Sequence, residues 1–308
     1  ARHWQHADGA TVCRLCAGEI RRYLFSIALT IMPTTPFQAL RCPIDGSALT
    51  RHDKSWRCEA GHSYDVAREG YVHLLPVQNK RSKDPGDSKE MVAARRRFLH
   101  AGYYKPIAHA LGQSLLRHGQ SSMSCLDAGC GEGYYLRELQ SMGVPLSILG
   151  LDISKWAVQA AAKLDKSSTW VVGSNANLPV VSASVDSVLC LFGFPVYTEF
   201  ARVLKPGGLL LQVDTGEQHL RELREVIYPS LKPPRDSEPL VPEGFSLLEQ
   251  STVCFAIELE SREAIADLLA MTPHLYRASQ AGRENAAALE RLSLSIDVRI
   301  KCLRRALD

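Results

Sequence analysis

From residue 125 onward, short apolar runs alternate with longer stretches of helical spacing. The runs fall at 125–128, 147–151, 169–172, 185–191, 209–213, 253–258 and 294–301, each of strand length. Helical patterns lie between the earlier ones, as at 156–163. Strands alternating with helices predict an α/β fold with a mostly parallel sheet. Ahead of this region the pattern changes. Residues 40–75 read as short strands and turns, and a helix is predicted over 89–101 after the capping-capable Asp87 or Ser88.

The first apolar run ends in Leu126-Asp127-Ala128-Gly129-Cys130-Gly131-Glu132-Gly133. A strand that stops at a glycine-rich turn exposes backbone N–H groups to a ligand. Glycine permits both the close approach and positive φ. The second run ends in Asp152, roughly 20 residues beyond the loop, where a ribose-binding carboxylate belongs in a βαβ unit. Ligands of such sheets bind at the carboxyl ends of the strands. Gly131, Asp152 and the segment Gly173-Ser174-Asn175 all fall there. Loop and carboxylate together resemble the S-adenosylmethionine (SAM) site of class I methyltransferases. That resemblance implies a Rossmann-like, mostly parallel seven-stranded sheet whose last two strands form an antiparallel hairpin. It also implies cofactor contacts from Asp127, Gly129, Gly131, Glu132, Gly133 and Asp152. Ser174 stands where many of these enzymes hold the adenine amine with an aspartate; its hydroxyl, helped by Asn175, is the expected acceptor. Phe192-Gly193-Phe194-Pro195 follows the fourth strand, where related enzymes keep their target-binding motif. It is not the Asn-Pro-Pro-Tyr of adenine methylases, which argues against exocyclic amino transfer, and its two phenylalanines suit stacking on a base.

Near the amino terminus, Cys42-Pro43-Ile44-Asp45-Gly46 and Cys58-Glu59-Ala60-Gly61-His62 put paired ligands into two tight turns. This is the layout of a zinc ribbon, a module too small to bury a core and therefore folded by its metal. Cys42, Cys58 and His62 have suitable chemistry, and Asp45, able to ligate through oxygen, stands where a second cysteine is usual. The net charge of +3 does not by itself indicate nucleic acid. Its distribution does more: Lys80, Arg81 and Lys83 cluster in a loop, and Arg95, Arg96 and Arg97 on the helix that follows. Basic groups beside aromatics and a metal module suit phosphate contact. Nine irregularly spaced cysteines exclude a disulfide framework and fit a cytoplasmic protein with reduced thiols. No apolar run approaches the roughly 18 residues of a membrane span. The first methionine is Met32, and the stretch before it reads as a translated leader. Its Cys13 and Cys16 lack a second pair and are taken as incidental.

The string from Cys42 through Tyr104 resembles the bacterial 23S ribosomal RNA guanine-N1 methyltransferases, the RlmA family. The matching pieces are Arg68-Glu69-Gly70-Tyr71-Val72, His73-Leu74-Leu75-Pro76, Lys80-Arg81-Ser82-Lys83-Asp84-Pro85-Gly86-Asp87-Ser88 and Ala94-Arg95-Arg96-Arg97-Phe98-Leu99. The likeness continues through Ala101-Gly102-Tyr103-Tyr104 and Gly129-Cys130-Gly131-Glu132-Gly133-Tyr134-Tyr135. It implies zinc on three cysteines and a histidine, with Asp45 departing from that set. It further implies SAM contacts from Tyr104 and His219, a 23S rRNA hairpin as substrate, and a homodimer. The expected division is a leader or extension over 1–39, a ribbon over 40–76, a basic linker and helix over 77–105 and the catalytic domain over 106–308. The expected chemistry is attack of guanine N1 on the sulfonium methyl. N1 must lose its proton to a base within about 3 Å. Asp214, Glu217 and His219 are candidates by location alone. Two other readings compete: a class I enzyme acting on a small molecule, and a non-catalytic RNA-binding protein with a vestigial fold.

Overall fold

The computed structural model describes residues 36–79, 82, 84–231 and 241–307. Cys13, Cys16, Met32, Lys80, Arg81 and Lys83 lie outside these, as does the expected leader up to residue 35. The chain opens with three short strands, β1 (Thr50–His52), β2 (Ser55–Arg57) and β3 (Ser63–Asp65), in one antiparallel sheet. Trp56, 1% exposed, anchors that sheet in an apolar cluster with Phe37, Leu40, Val72 and Phe200. Then come β4 (Tyr71–His73), α1 (Lys89–His100) and α2 (Lys105–His118). Ser88 caps α1 by accepting the Met91 N–H.

The α/β region runs β5 (Met123–Ala128), α3 (Tyr134–Ser141), β6 (Leu146–Asp152), α4 (Lys155–Leu164), β7 (Thr169–Val172), β8 (Val185–Leu191), α5 (Tyr197–Val203) and β9 (Leu204–Thr215). It ends with α6 (Arg221–Ile227), β10 (Phe245–Leu259), α7 (Arg262–Ala270), α8 (His274–Arg277), α9 (Gln280–Ala288) and β11 (Leu292–Arg305). The strands form one sheet in the order β10-β11-β9-β8-β5-β6-β7-β4. From β9 to β4 every pairing is parallel; β11 runs antiparallel to β9, and β10 to β11. The anticipated seven strands and terminal hairpin are present. The sheet gains an eighth strand because β4, expected within the ribbon, pairs with β7 through Tyr71, Val72 and His73. Tyr71 and Val72 are both buried, one on each face of the sheet. β4 covers the edge of β7 and becomes the edge strand itself, with its outer side bridged at Val66–Val72. The order of the strands reverses between β5 and β8, which opens a crevice at their carboxyl ends.

Candidate active site and metal cluster

A cavity of about 440 Å³ occupies that crevice. Its floor is the loop after β5. Gly129, Gly131 and Gly133 have φ of +103°, +56° and +79°, so the loop needs glycine at each. At Gly133 space forbids a side chain as well: a Cβ would sit 2.6 Å from Trp170. Asp152, at the end of β6, lines the cavity. Its Oδ2 accepts the Gly131 N–H at 2.9 Å and its Oδ1 accepts the Ser154 N–H at 2.8 Å. Ser154 itself caps α4, so Asp152 is free of that duty. Burial raises the Asp152 pKa, and the two backbone hydrogen bonds oppose the shift.

The other loop acids are arranged differently. Glu132 lines the cavity but its buried carboxylate pairs with Arg137 at 2.7 Å. Asp127 lies buried beneath the loop, with Oδ1 unpartnered, and is not part of the lining. Burial, then repulsion from Asp152, pushes its pKa up to about 8. The folded protein therefore keeps a proton that the unfolded chain releases above its ordinary carboxylate pKa of 3.8. Stability falls as pH rises between those values and levels off above about 8. Asp127→Asn cannot ionise, so its thermal midpoint should overtake that of the parent protein progressively across this window. Calorimetry of the ligand-free proteins checks this; a difference independent of pH would sink it.

Ser174 and Asn175 line the cavity beyond β7. The Ser174 hydroxyl accepts the Ala176 N–H within its own turn. Asn175 donates from Nδ2 to the Ala128 carbonyl at 3.3 Å, while its Oδ1 is buried without a partner. Ser174 keeps its second lone pair, and Asn175 Oδ1 is a further acceptor at this wall that no protein donor uses.

Tyr104, 3% exposed, lines the cavity opposite the loop. His219 stands behind it. The His219 Nδ1 accepts the Asp297 N–H at 3.3 Å, so the neutral ring carries its proton on Nε2 and donates to the Tyr104 hydroxyl, also at 3.3 Å. Burial lowers the His219 pKa to about 4. With both nitrogens engaged and the ring neutral, His219 is unsuited to the expected role of base; it orients Tyr104 instead. Phe192 stacks on His219 at 28° and 6.1 Å between centroids. Phe192 also lines the cavity and is 37% exposed, and Phe194 stands 89% exposed at the cavity mouth. Both phenylalanines thus reach the cavity, Phe194 with the more open ring. Asp214 is half-buried just past the Val213 carbonyl that accepts the Phe192 N–H. Its Oδ2 accepts from Gln212, which in turn accepts from the Tyr197 hydroxyl. Glu217 is exposed, 3.9 Å from Arg299.

The three arginines of α1 do not share a face. Arg96 is exposed. Arg97 makes two hydrogen bonds to Asp267 of α7, at 2.8 and 2.5 Å. Arg95 lines the cavity and binds Asp87 at 2.6 Å. The expectation of a common RNA-contacting cluster is corrected to that extent: successive residues of a helix point about 100° apart. Sequence reasoning also missed Gly86, Asp87 and Met271, which line the cavity. Gly86, with φ +83°, brings its backbone so close to α4 that a Cβ would lie 2.8 Å from Ile153. The Ser154 hydroxyl holds this strap by donating to the Asp87 carbonyl at 2.7 Å.

Cys42, Asp45, Cys58 and His62 present their ligand atoms within 4.8 Å of one another. The His62 Nδ1 lies 3.0 Å from Asp45 Oδ2, 3.3 Å from Cys58 Sγ and 3.5 Å from Cys42 Sγ. Zinc bonds of 2.0–2.3 Å imply tetrahedral edges of about 3.3–3.8 Å, so the set fits a zinc ion. Asp45 is not the odd member that the sequence implied. Its Oδ1 accepts from the Ser47 N–H and hydroxyl at 2.9 and 2.6 Å, which aims Oδ2 inward. Those hydrogen bonds also hold its carboxyl well below the usual range. Tyr64 places its hydroxyl 3.1 Å from Cys42 Sγ, the outer contact that orients a thiolate ligand.

Two family models match the chain in order: the amino-terminal zinc ribbon described as RlmA, N-terminal, over residues 40–83, and a methyltransferase domain over residues 126–212. A 23S rRNA (guanine(748)-N(1))-methyltransferase of Streptomyces fradiae is 33% identical over 241 residues, covering 76% of this chain and 84% of that one. A putative 23S rRNA (guanine-N(1)-)-methyltransferase of Micromonospora griseorubida is 36% identical, covering 60% of this chain and 68% of its own. One of the same description from Bacillus subtilis is 34% identical, covering 63% and 71%. With ribbon and SAM-dependent domain in the same order and a third of the sequence shared, the chain belongs to the 23S rRNA (guanine-N1)-methyltransferase family.

Proposed function

We propose that this enzyme transfers the methyl group of SAM to N1 of one guanine in a 23S rRNA hairpin, using the cavity after β5 as the cofactor site and the ribbon to hold RNA. The observation that carries this reading is Phe194. An aromatic ring 89% exposed at the mouth of a cofactor-sized cavity offers a stacking platform to an extruded base. A small-molecule methyltransferase needs neither such a platform nor a metal ribbon. A vestigial fold would not need the intact glycine loop bound to Asp152.

SAM, when bound, supplies an already activated methyl group, so the protein's work is positioning and proton removal. The backbone of Gly129, Gly131 and Gly133 receives the methionine arm, Asp152 the ribose hydroxyls, and Asn175 the adenine amine. Tyr104, oriented by His219, closes the site. Asp214 is the favoured base for the guanine N1 proton: it follows directly beside the turn that carries Phe194, and Gln212 orients its carboxylate. Arg96, together with Lys80, Arg81 and Lys83, is assigned to phosphate contact. The reading keeps the ribbon of 40–76 except for β4, which belongs to the main sheet, then the basic linker and helix over 77–105 and the domain over 106–308, with the homodimer that the resemblance implies and a cytoplasmic setting beside the ribosome. No helix among the described residues is long and apolar enough to cross a membrane.

The test is mass-spectrometric mapping of 23S rRNA taken from cells that lack this enzyme, before and after incubation with protein and SAM. One new methyl on a hairpin guanine that also blocks reverse transcription is the expected result. Intact SAM binding with no methyl added to rRNA would overturn the assignment and direct the search to small acceptors.

A further inference from the structure

The cavity is lined by three carboxylates, Asp87, Glu132 and Asp152, and among its described lining residues Arg95 alone carries a fixed positive charge. SAM has two positive groups, the sulfonium and the amine, and one negative group, the carboxylate. Acidic walls suit the first two. A carboxylate taken from water needs charge-assisted donors, and a guanidinium supplies them best. Arg95 is held ready for such a partner. Its Nη2 donates to Asp87 at 2.6 Å and to the Met271 carbonyl at 3.0 Å. Its Nε is buried with no partner. Its Cδ lies 3.7 Å from where a Cβ on Gly131 would be, which sets the side chain against the glycine loop. Arg97 meanwhile fixes α1 to α7 through Asp267, so the helix that delivers Arg95 is itself anchored.

We propose that Arg95 binds the carboxylate of the cofactor's methionine arm, with Asp87 as the residue that positions its guanidinium. The inference rests on the SAM reading of the cavity. It removes Arg95 from the RNA-contacting set and gives the strap at Gly86 and Asp87 a purpose: it fixes the guanidinium over the loop. No bond is made or broken, and the role is recognition alone.

Calorimetric titration with two ligands tests it. The first is SAM; the second is decarboxylated SAM, which keeps the adenosine, sulfonium and amine but lacks the carboxylate. The parent protein should prefer SAM by about 10- to 100-fold, the range expected of a hydrogen bond to a charged group. Arg95→Met should lose that preference by weakening SAM while leaving the decarboxylated ligand unchanged. Arg95→Lys should keep part of the preference, which controls for loss of the side chain's packing. Equal weakening of both ligands would mean that Arg95 only anchors α1 and would overturn the proposal. So would a parent protein that does not distinguish them. A parent protein that binds neither ligand would instead bring down the SAM assignment on which the proposal stands.

Discussion

Asp152→Ala should weaken SAM binding by about 100- to 10,000-fold, as measured by calorimetry or equilibrium dialysis. The size follows from two ribose hydroxyls that lose a charged acceptor, each such hydrogen bond being worth about 1.5–3 kcal/mol. Preorganisation adds to it. The carboxylate is held at both oxygens by backbone N–H groups of Gly131 and Ser154, so it meets the ribose without first being ordered. Truncation also leaves the Gly131 N–H without its acceptor, and that residue sits at the centre of the loop that forms the floor. Asp152→Asn separates these contributions. Its carbonyl can keep the bond to one backbone donor while its amide faces the other, so it should fall between parent and alanine variant. Undiminished affinity in the alanine variant would show that the ribose lies elsewhere and would remove the main geometric support for the cofactor site.

Much of this site can be read from the sequence because it is local. Glycines that must adopt positive φ, an acidic residue at a strand's end, and paired ligands in tight turns are each encoded within a few neighbouring residues. What escaped depends on contacts across the chain. β4 has only three residues and is buried on both sides, so no period marks it as a member of the main sheet rather than of the ribbon next to it in sequence. Trp170 fills the space over Gly133, a fact visible only once β7 lies beside β6. His219 reads as a candidate base from its location alone, beside Asp214 and Glu217. Its burial, and the Asp297 N–H that takes its Nδ1, come from β11, some 80 residues away in sequence. The arginine run is a different case. Three consecutive residues on a helix cannot face one ligand, and the helical period by itself sends Arg95, Arg96 and Arg97 in different directions.

Removing the metal should unfold the ribbon while sparing the catalytic sheet. β1 is exposed along its whole length, and β1, β2 and β3 have three residues each. Structural zinc sites in small modules contribute about 10–16 kcal/mol, far more than such strands can supply. The protein as purified should hold one zinc per chain by native mass spectrometry, and Cys58→Ala should hold none. In that variant, hydrogen exchange should rise steeply across β1–β3 and stay low in β5 and β6. SAM affinity should be unchanged and RNA affinity should fall. Asp45 adds a graded control. Oxygen binds zinc less tightly than thiolate in a closed structural site, so Asp45→Cys should resist chelation longer than the parent, and Asp45→Ala should lose metal sooner. Zinc-free protein that kept its exchange protection would assign the ribbon's stability to Trp56 and its apolar neighbours Phe37, Leu40 and Val72. The four-residue cluster would then be a relic of a metal site rather than the device that folds the module.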